Sequence, residues 1–256
     1  MPARLVVLSR GAAFARRAGS LLLLLLVWWL AALAAHDPSL LPSPGTVAAF
    51  AWGSVVDGAL PTDVAITLAR VGAAFTLSML AGSVIGYVAG RSPRADAWID
   101  PWLVIALNLP VLVVIVLAYI WIGLNETAAI VAVAIAKMPT VVVTLREGAR
   151  ALDAGFDELT QVYGVSTWRA LRRVILPQLA PYLAAAARGG LSVTWKIVLI
   201  VELLGRPNGV GFALNLFFQN FNVTGILAYG LSFAGIMLVL EFGALQPLER
   251  RVNAWR

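Results

Sequence analysis

The sequence predicts an all-α membrane protein with about six transmembrane helices, because it is very apolar, poor in charge and built from long hydrophobic runs. Hydrophobic residues make up 61% of the 256 residues and charged residues only 12%, whereas soluble domains are about half apolar and about a quarter charged. The runs are continuous rather than alternating, which favours helices over a transmembrane barrel. With no Cys and one His, a disulfide framework, thiol catalysis and a multi-histidine metal site are excluded.

Six runs with few charges are the predicted spans. They cover residues 18–35, 71–90, 101–122, 127–145, 179–204 and 225–240. Each is close to the roughly 20 residues that a helix needs to cross a bilayer. The first run follows Arg16 and Arg17 and also resembles a secretory signal peptide, but the distribution of charge favours a span.

Arginines are concentrated on one side of the predicted membrane. With six spans, that side holds the N-terminal segment, the links 91–100 and 146–178, and the C-terminal segment. Fourteen arginines fall there: Arg4, Arg10, Arg16, Arg17, Arg91, Arg94, Arg146, Arg150, Arg169, Arg172, Arg173, Arg250, Arg251 and Arg256. Only Arg70 and Arg206 fall on or near the opposite side. Because cytoplasmic loops carry the excess of Lys and Arg, we expect both termini in the cytoplasm. The basic surface then faces anionic lipid of the bilayer, and no nucleic acid is implied.

We expect one membrane domain, residues 18–256, preceded by a basic cytoplasmic segment, residues 1–17. That segment mixes four arginines with apolar residues and is either an interfacial helix or a simple charged tail. After the first span, Pro42 and Pro44 are expected to enforce an extended turn. Residues 54–70 are then expected to form an amphipathic helix that leads into the second span.

Glycines and prolines within the spans predict local geometry. Gly82, Gly86 and Gly90 repeat every four residues, so one face of the second span can approach another helix closely. Pro110 and Pro139 are expected to kink or unwind the third and fourth spans.

The segment 146–177 is long for a link between membrane helices and predicts a helical hairpin. Residues 156–163 suit a short helix, Gly164 suits its left-handed cap, and Ser166 suits the start of a second helix over 167–175. Leu159, Val162, Tyr163 and Val165 then form an apolar surface among charges. Such a surface fits a groove on a partner protein.

Charged residues inside the spans are candidates for a translocation pathway. Arg188, Lys196 and Glu202 share an arc of about 120° on the fifth span, and Lys137 lies within the fourth. Charges in a span face a bundle interior or a water-filled cavity. Two interpretations stay open: the lysines give the pathway a positive field for an anionic solute, or they pair with Glu202 or with backbone carbonyls and hold the bundle together.

One motif in the segment 146–177 carries a family resemblance. Glu158, then Gly164 six residues later, then Val174, Leu176 and Pro177 resemble the pattern E-A-A-x3-G-x9-I-x-L-P of the membrane subunits of binding-protein-dependent ABC importers. Leu159 and Thr160 replace the two alanines and Val174 replaces isoleucine, with the spacing preserved. Further likeness to the nitrate/sulfonate/taurine-type branch lies in Leu41-Pro42-Ser43-Pro44, Arg70, Asp100-Pro101, Trp195, Glu202 and the residues 208–212.

The resemblance implies a type I ABC importer permease fold and a set of partners. These are a second permease copy, two cytoplasmic ATPase subunits and an external solute-binding protein, assembled at the bacterial cytoplasmic (inner) membrane. Residues Glu158 to Val165 would be the surface that binds the ATPase, with Leu176 and Pro177 anchoring the hairpin to the fifth span. The chain has no G-x-x-x-x-G-K-[ST] loop, so it is expected to be a non-catalytic subunit without a cofactor, ATP and Mg being bound by the partner ATPase.

Two other classes of membrane protein fit the sequence less well. A secondary transporter driven by an ion gradient needs intramembrane acids, for which only Glu202 and Glu241 qualify, and it leaves the long segment 146–177 without a role. A membrane enzyme needs a cluster of His, Asp or Ser at one membrane face, which the sequence does not indicate.

Overall fold

The fold was analysed in a computed structural model that describes residues 10–153, 155, 159–160, 162–245 and 247. The longer elements of this part of the chain are all helices. They are α1 (Arg10–Ala35), α2 (Pro44–Val56), α3 (Ala59–Arg91), α4 (Pro93–Asn108), α5 (Val111–Ile122), α6 (Glu126–Arg150), α7 (Thr167–Gly205), α8 (Val210–Gln219) and α9 (Val223–Leu240). A π-helical turn, Glu241–Leu245, follows α9.

Five of these helices are long and apolar enough to cross a membrane, and a bent pair supplies a sixth span. The pair is α4 and α5, whose axes differ by 101° across the break at Leu109 and Pro110. Leu109 is extended, with ψ of 128°, because the proline ring disfavours a helical conformation in the preceding residue. The prediction of about six spans and that of a kink at Pro110 are therefore confirmed.

The segment before the second span differs from the prediction. Pro44 begins helix α2 instead of prolonging an extended turn, since Ser43 caps the helix by accepting a hydrogen bond from the Thr46 N–H at 3.2 Å and proline fits the first helical turn. Gly58, with φ of 79°, separates α2 from α3. The predicted helix 54–70 and the second span are then one helix that begins at Ala59.

Helix continuity differs from the prediction at two further places. Helix α6 runs through Pro139 without a break, so the proline does not unwind the helix there, because buried contacts with its neighbours hold a proline-containing membrane helix together. The predicted hairpin 146–177 is also shorter than expected. Helix α6 continues to Arg150 and α7 begins at Thr167, directly after the predicted cap Ser166, so the link between them is residues 151–166.

The most extensive helix contact among the described residues is that of α3 with α6. A Cβ placed on Gly82 would lie 2.8 Å from Val141 Cβ, and one placed on Gly86 would lie 2.6 Å from the Val142 carbonyl oxygen. A Cβ on Gly90 would meet Ala149 Cβ at 2.5 Å. The three glycines thus let the two backbones touch, as the spacing predicted, and α6 is the partner helix.

Two apolar cores build the rest of the bundle. Helices α3, α5, α6 and α7 enclose one core, with Ile115, Ala132 and Val201 fully buried. Helices α2, α3, α8 and α9 enclose the other around Phe233. Helix α1 packs little against the other helices. The Trp28 Nε1–H of α1 donates a hydrogen bond to the Pro42 carbonyl at 3.1 Å.

Replacing Gly86 by alanine tests the α3–α6 contact. We expect Gly86→Ala to cost about 1–3 kcal/mol of unfolding free energy, because the added methyl group overpacks a closed backbone contact. Gly72→Ala is the matched control on the same helix, since a Cβ there meets nothing within 4 Å. The control is expected to be neutral or to stabilise the helix by up to about 1 kcal/mol. Thermal unfolding in detergent measures both, and equal midpoints would contradict the assignment.

Candidate functional sites

A buried ion-pair network lies at one end of the bundle, centred on Arg70 of α3. The Arg70 side chain is 4% exposed. Its Nη1–H donates to Glu202 Oε1 at 2.7 Å, and its Nε–H and Nη2–H donate to Glu126 at 2.9 and 2.6 Å. Glu126 also accepts a hydrogen bond from Arg206 at 2.6 Å. The network therefore joins the start of α6 and the end of α7 to α3.

The same network caps the N-terminus of α8. The backbone N–H of Gly211 donates to Glu202 Oε2 at 2.8 Å, that of Val210 donates to Thr67 Oγ1 at 2.9 Å, and that of Gly209 donates to Asp63 Oδ1 at 3.0 Å. These N–H groups have no partner within their own helix. Acceptors from α3 and α7 satisfy them, which fixes α8 against the bundle.

Glu202 is consequently fully buried and neutralised rather than exposed. Besides Arg70 and Gly211, it accepts a hydrogen bond from the Thr67 hydroxyl at 2.9 Å. Its partner is Arg70 and not one of the span lysines, so the pairing differs from the one considered in the sequence. The carboxylate has every polar atom engaged within its own chain.

Sequence reasoning missed most of this network. From the sequence, Arg70 and Glu202 were each named but not paired, while Asp63, Thr67 and Glu126 were not singled out. A signal was present: Asp63, Thr67 and Arg70 follow one another at helical spacings of four and three residues. A polar stripe of this kind on an otherwise apolar helix indicates a buried polar contact.

A second charge cluster lies at the opposite end of the bundle. Arg146 Nη1 is 2.6 Å from Asp100 Oδ1, and Arg150 Nη2 is 2.5 Å from Asp96 Oδ2. Each pair of like charges is spaced by four residues on its own helix, so the two rows face each other. They fasten the start of α4 to the last turn of α6, immediately before the link 151–166.

The link contains the helix cap predicted at Gly164. The Tyr163 N–H donates to the Leu159 carbonyl at 3.0 Å, and the Val165 N–H donates to the Thr160 carbonyl at 2.9 Å. With φ of 59° at Gly164, this is the hydrogen-bond pattern of a left-handed helix end. Glu158, the motif's acidic residue, lies outside the described residues.

Apolar side chains of the link project from the bundle. Leu159, Val162 and Tyr163 are 50%, 81% and 77% exposed, and Val165 is partly buried. They form one surface, here called the link surface.

Leu176 and Pro177 lie where the regular α-helical part of α7, Leu176–Gly205, begins. Both are exposed, whereas the neighbouring Leu179 is buried. A π-helical turn, Leu171–Ile175, precedes them, and the Leu176 N–H bonds the Leu171 carbonyl five residues back. The wider turn gives room to the proline ring, which clashes with a regular helix.

The span cations are divided between the core and the surface of the chain. The Lys137 stem is 7% exposed, and its Nζ donates to the Thr140 hydroxyl at 2.6 Å. Arg188 and Lys196 are exposed on α7. The structure therefore separates Glu202, which faces its own core, from Lys196, which faces outward.

Bundled helices of membrane-spanning length define a multi-span membrane protein. The chain belongs to the family of binding-protein-dependent transport system inner membrane components, whose sequence profile matches residues 74–245. It is thus an ABC importer permease, a multi-pass protein of the bacterial inner membrane.

Individual relatives agree with the family. The taurine transport system permease TauC of Escherichia coli (strain K12) is 29% identical over 201 residues, which cover 78% of this chain and 72% of TauC. SsuC of Bacillus subtilis (strain 168), named as an aliphatic sulfonates transport permease, is 27% identical over 218 residues, 85% of this chain and 79% of SsuC. A chain of the MetNI methionine ABC transporter shares the fold, with a TM-score of 0.63 at 19% identity over 77% of this chain and 98% of that chain.

Removing the charge of Arg70 tests the network. We expect Arg70→Met to cost about 3–5 kcal/mol of unfolding free energy, because it leaves the buried Glu202 carboxylate without its cation. The matched control is Arg150→Met, which breaks a half-exposed pair and is expected to cost less than about 1 kcal/mol. Thermal unfolding of the purified chain measures both. A similar small loss in the two variants would show that the buried pair contributes little.

Proposed function

We propose that this permease is one half of an ATP-driven importer in which the link surface binds a cytoplasmic ATPase subunit. The observation that carries the proposal is the projecting link 151–166, whose apolar side chains are exposed on a capped helix end. Two copies of the chain would form the translocation pathway, each binding one ATPase. Both termini and the link then lie in the cytoplasm, in accordance with the arginine distribution.

The surroundings of the link favour a protein partner over lipid. Val162 and Tyr163 are exposed close to Arg169, Arg172 and Arg173, which are exposed as well. An apolar surface with a charged rim is the composition of a protein interface centre and its rim. The cap at Gly164 holds this surface in one conformation, so binding a groove would cost little ordering entropy.

Helix α7 supplies a direct route from the link to the other end of the bundle. It has 39 residues and is therefore about 58 Å long, well beyond the roughly 30 Å hydrocarbon core of a bilayer. One end begins at the link, and the other carries Glu202 within the Arg70 network. A displacement of the link by the ATPase would move α7 as one body and shift that network.

The proposed solute is a small anion delivered by an external binding protein. TauC is named for taurine and SsuC for aliphatic sulfonates, and both substrates carry a sulfonate group. The chain itself would hold no nucleotide, and ATP with Mg would be bound and hydrolysed by the ATPase subunit.

Reconstitution tests the whole assembly. The chain is placed in proteoliposomes with the ATPase and the binding protein encoded with it, and uptake of taurine and of ethanesulfonate is measured with and without ATP. Uptake that needs ATP, binding protein and ATPase together is the expected result. Uptake by the chain alone along an ion gradient would overturn the proposal in favour of a secondary transporter.

Substitutions at Gly164 test the link as the ATPase contact. Gly164→Val forces a β-branched residue into φ of 59°, which costs about 1–2 kcal/mol locally and should release the cap. We expect weaker co-purification with the ATPase and slower uptake, with membrane insertion unchanged. Gly164→Asn is the matched control, because Asn tolerates the left-handed conformation. Normal coupling in the valine variant would contradict the role of the cap.

Tyr163→Ala tests the side chains of the link surface. A buried tyrosine at a protein interface commonly contributes about 2 kcal/mol or more, so ATPase binding should weaken by at least about tenfold. Trp121→Ala is the control, since Trp121 is an equally exposed aromatic residue, 75% exposed, at the end of α5 close to the start of α6 and therefore at the opposite end of α6 from the link. Equal affinities for the two variants, measured by titration of the ATPase, would exclude the link surface as the contact.

A further inference from the structure

Lys137 is a buried cation whose charge is not neutralised by an anionic group among the described residues. It lies near the middle of α6 and is 7% exposed. Among the residues that the structure describes, its Nζ has one hydrogen-bond partner, the Thr140 hydroxyl at 2.6 Å. An ammonium group can donate three hydrogen bonds, so two donors of this group are available to another molecule.

The position of the side chain directs the ammonium group toward the surface of the chain. A Cβ placed on Gly190 of α7 would lie 3.2 Å from Lys137 Cε and 3.2 Å from the Phe75 ring. The aliphatic stem of Lys137 therefore lies close to Phe75, in the space that the absent side chain of Gly190 leaves. The hydroxyl that Nζ contacts belongs to Thr140, which is exposed. The charged end of Lys137 thus reaches the boundary between the core and the outward face.

That outward face carries more polar groups than a lipid-facing surface. On α6, Thr140 and Thr144 follow Lys137 at spacings of three and seven residues, so they lie on the same side of the helix. On α7, Lys196 is exposed six residues after Gly190, about 9 Å further along the helix axis and about 120° around it, so it is a separate positive charge. Polar groups at this depth face a bundle interior or a water-filled cavity. We call Lys137, Thr140 and Thr144 the polar face.

The charges of this region have one sign. Glu202 is neutralised by Arg70, and Arg188 is engaged by other groups of the chain. Lys137 has no ion pair among the described residues, and the Nζ of Lys196 lies 5.5 Å from the ring centroid of its neighbour Trp195. The middle of the bundle is therefore left with an uncompensated positive charge.

We infer that the polar face is an anion-binding site of the translocation pathway, at which the ammonium group of Lys137 contacts the anionic group of the passing solute. The inference rests on the proposed function and adds the residues and the chemistry of recognition, a monovalent oxyanion such as a sulfonate. The Nζ of Lys137 supplies the charge and two N–H donors. The Thr140 hydroxyl donates to the Lys137 carbonyl at 2.9 Å and accepts from Nζ, so it holds the ammonium group in position. Lys196 extends the positive field along α7.

Thiol modification tests the site without any partner protein. The chain contains no Cys, so Thr140→Cys introduces a single thiol beside Lys137. The full-length chain in proteoliposomes is treated with sulfonatoethyl methanethiosulfonate, an anion, or with its trimethylammonium analogue, a cation. Each rate is divided by the rate of the same reagent with free 2-mercaptoethanol. Ile135→Cys is the control, an exposed position on another side of α6.

We expect the anionic reagent to react about tenfold faster at Thr140→Cys, as a cleft of one sign concentrates counter-ions by this order. Adding Lys137→Met should abolish the preference, and Lys137→Arg should retain it. Ile135→Cys should show none. Three outcomes would each overturn the inference: equal normalised rates at Thr140→Cys, no reaction at Thr140→Cys, or a preference that survives Lys137→Met. The first two outcomes do not depend on whether the Lys137→Met variant folds.

Transport by the reconstituted importer separates this inference from the proposed function. Lys137→Met should slow ethanesulfonate uptake about tenfold or more, while the loaded binding protein still stimulates ATP hydrolysis. Normal uptake in this variant would overturn the anion site and leave the importer function intact. No ATP-dependent uptake by the unaltered chain would instead refute the proposed function, while the modification rates would still report on the site.

Discussion

The arrangement of polar groups in this permease depends on the close contact between α3 and α6. Gly82, Gly86 and Gly90 allow the two backbones to touch, and in lipid such packing replaces the hydrophobic effect as the force that associates helices. The contact holds Arg70 of α3 within reach of Glu126 at the start of α6. A side chain at any of the three glycines would separate the helices and move the arginine away from its carboxylates.

Charge is used in two ways at the two ends of the bundle. Around Arg70 the central pair with Glu202 is buried and hydrogen-bonded, and the network fixes the N-terminus of α8 through Gly209, Val210 and Gly211. Around Arg146 the charged side chains are partly exposed and join the surfaces of α4 and α6. Such ion pairs stabilise the fold less than buried ones, because water also solvates the charges. The end next to the link is thus the one that can rearrange at smaller cost, which suits the end where a partner would act.

Features of the structure that depend on residues close together in the chain were predictable from the sequence, and features that depend on distant residues were not. The spans, the close glycine face, the break at Pro110 and the left-handed Gly164 were predictable because hydrophobicity and backbone preference act within a few residues. Helix ends were predicted poorly. Helices α3 and α6 continue beyond their apolar runs, because Arg70, Arg146 and Arg150 form ion pairs with neighbouring helices.

The partner of Glu202 was not predictable, because it depends on tertiary contact. The helical arc placed Glu202 near Lys196 by angle alone, but the structure turns Glu202 toward Arg70 on α3, 132 positions away in the chain. Periodicity locates residues around one helix, and only packing decides which neighbour each side meets.

The pairing of Glu202 also bears on how transport is driven. An ion-coupled transporter needs an intramembrane acid that gains and loses a proton or a cation during the cycle. Glu202 is held by Arg70, Thr67 and the Gly211 N–H, so releasing it would break a buried pair and uncap α8 together. That cost opposes repeated titration in every cycle. Among the residues that the structure describes, the other charges near mid-depth are cations such as Lys137 and Lys196. They attract an anionic solute but supply no acid for coupling, which is in keeping with the proposed ATP-driven import.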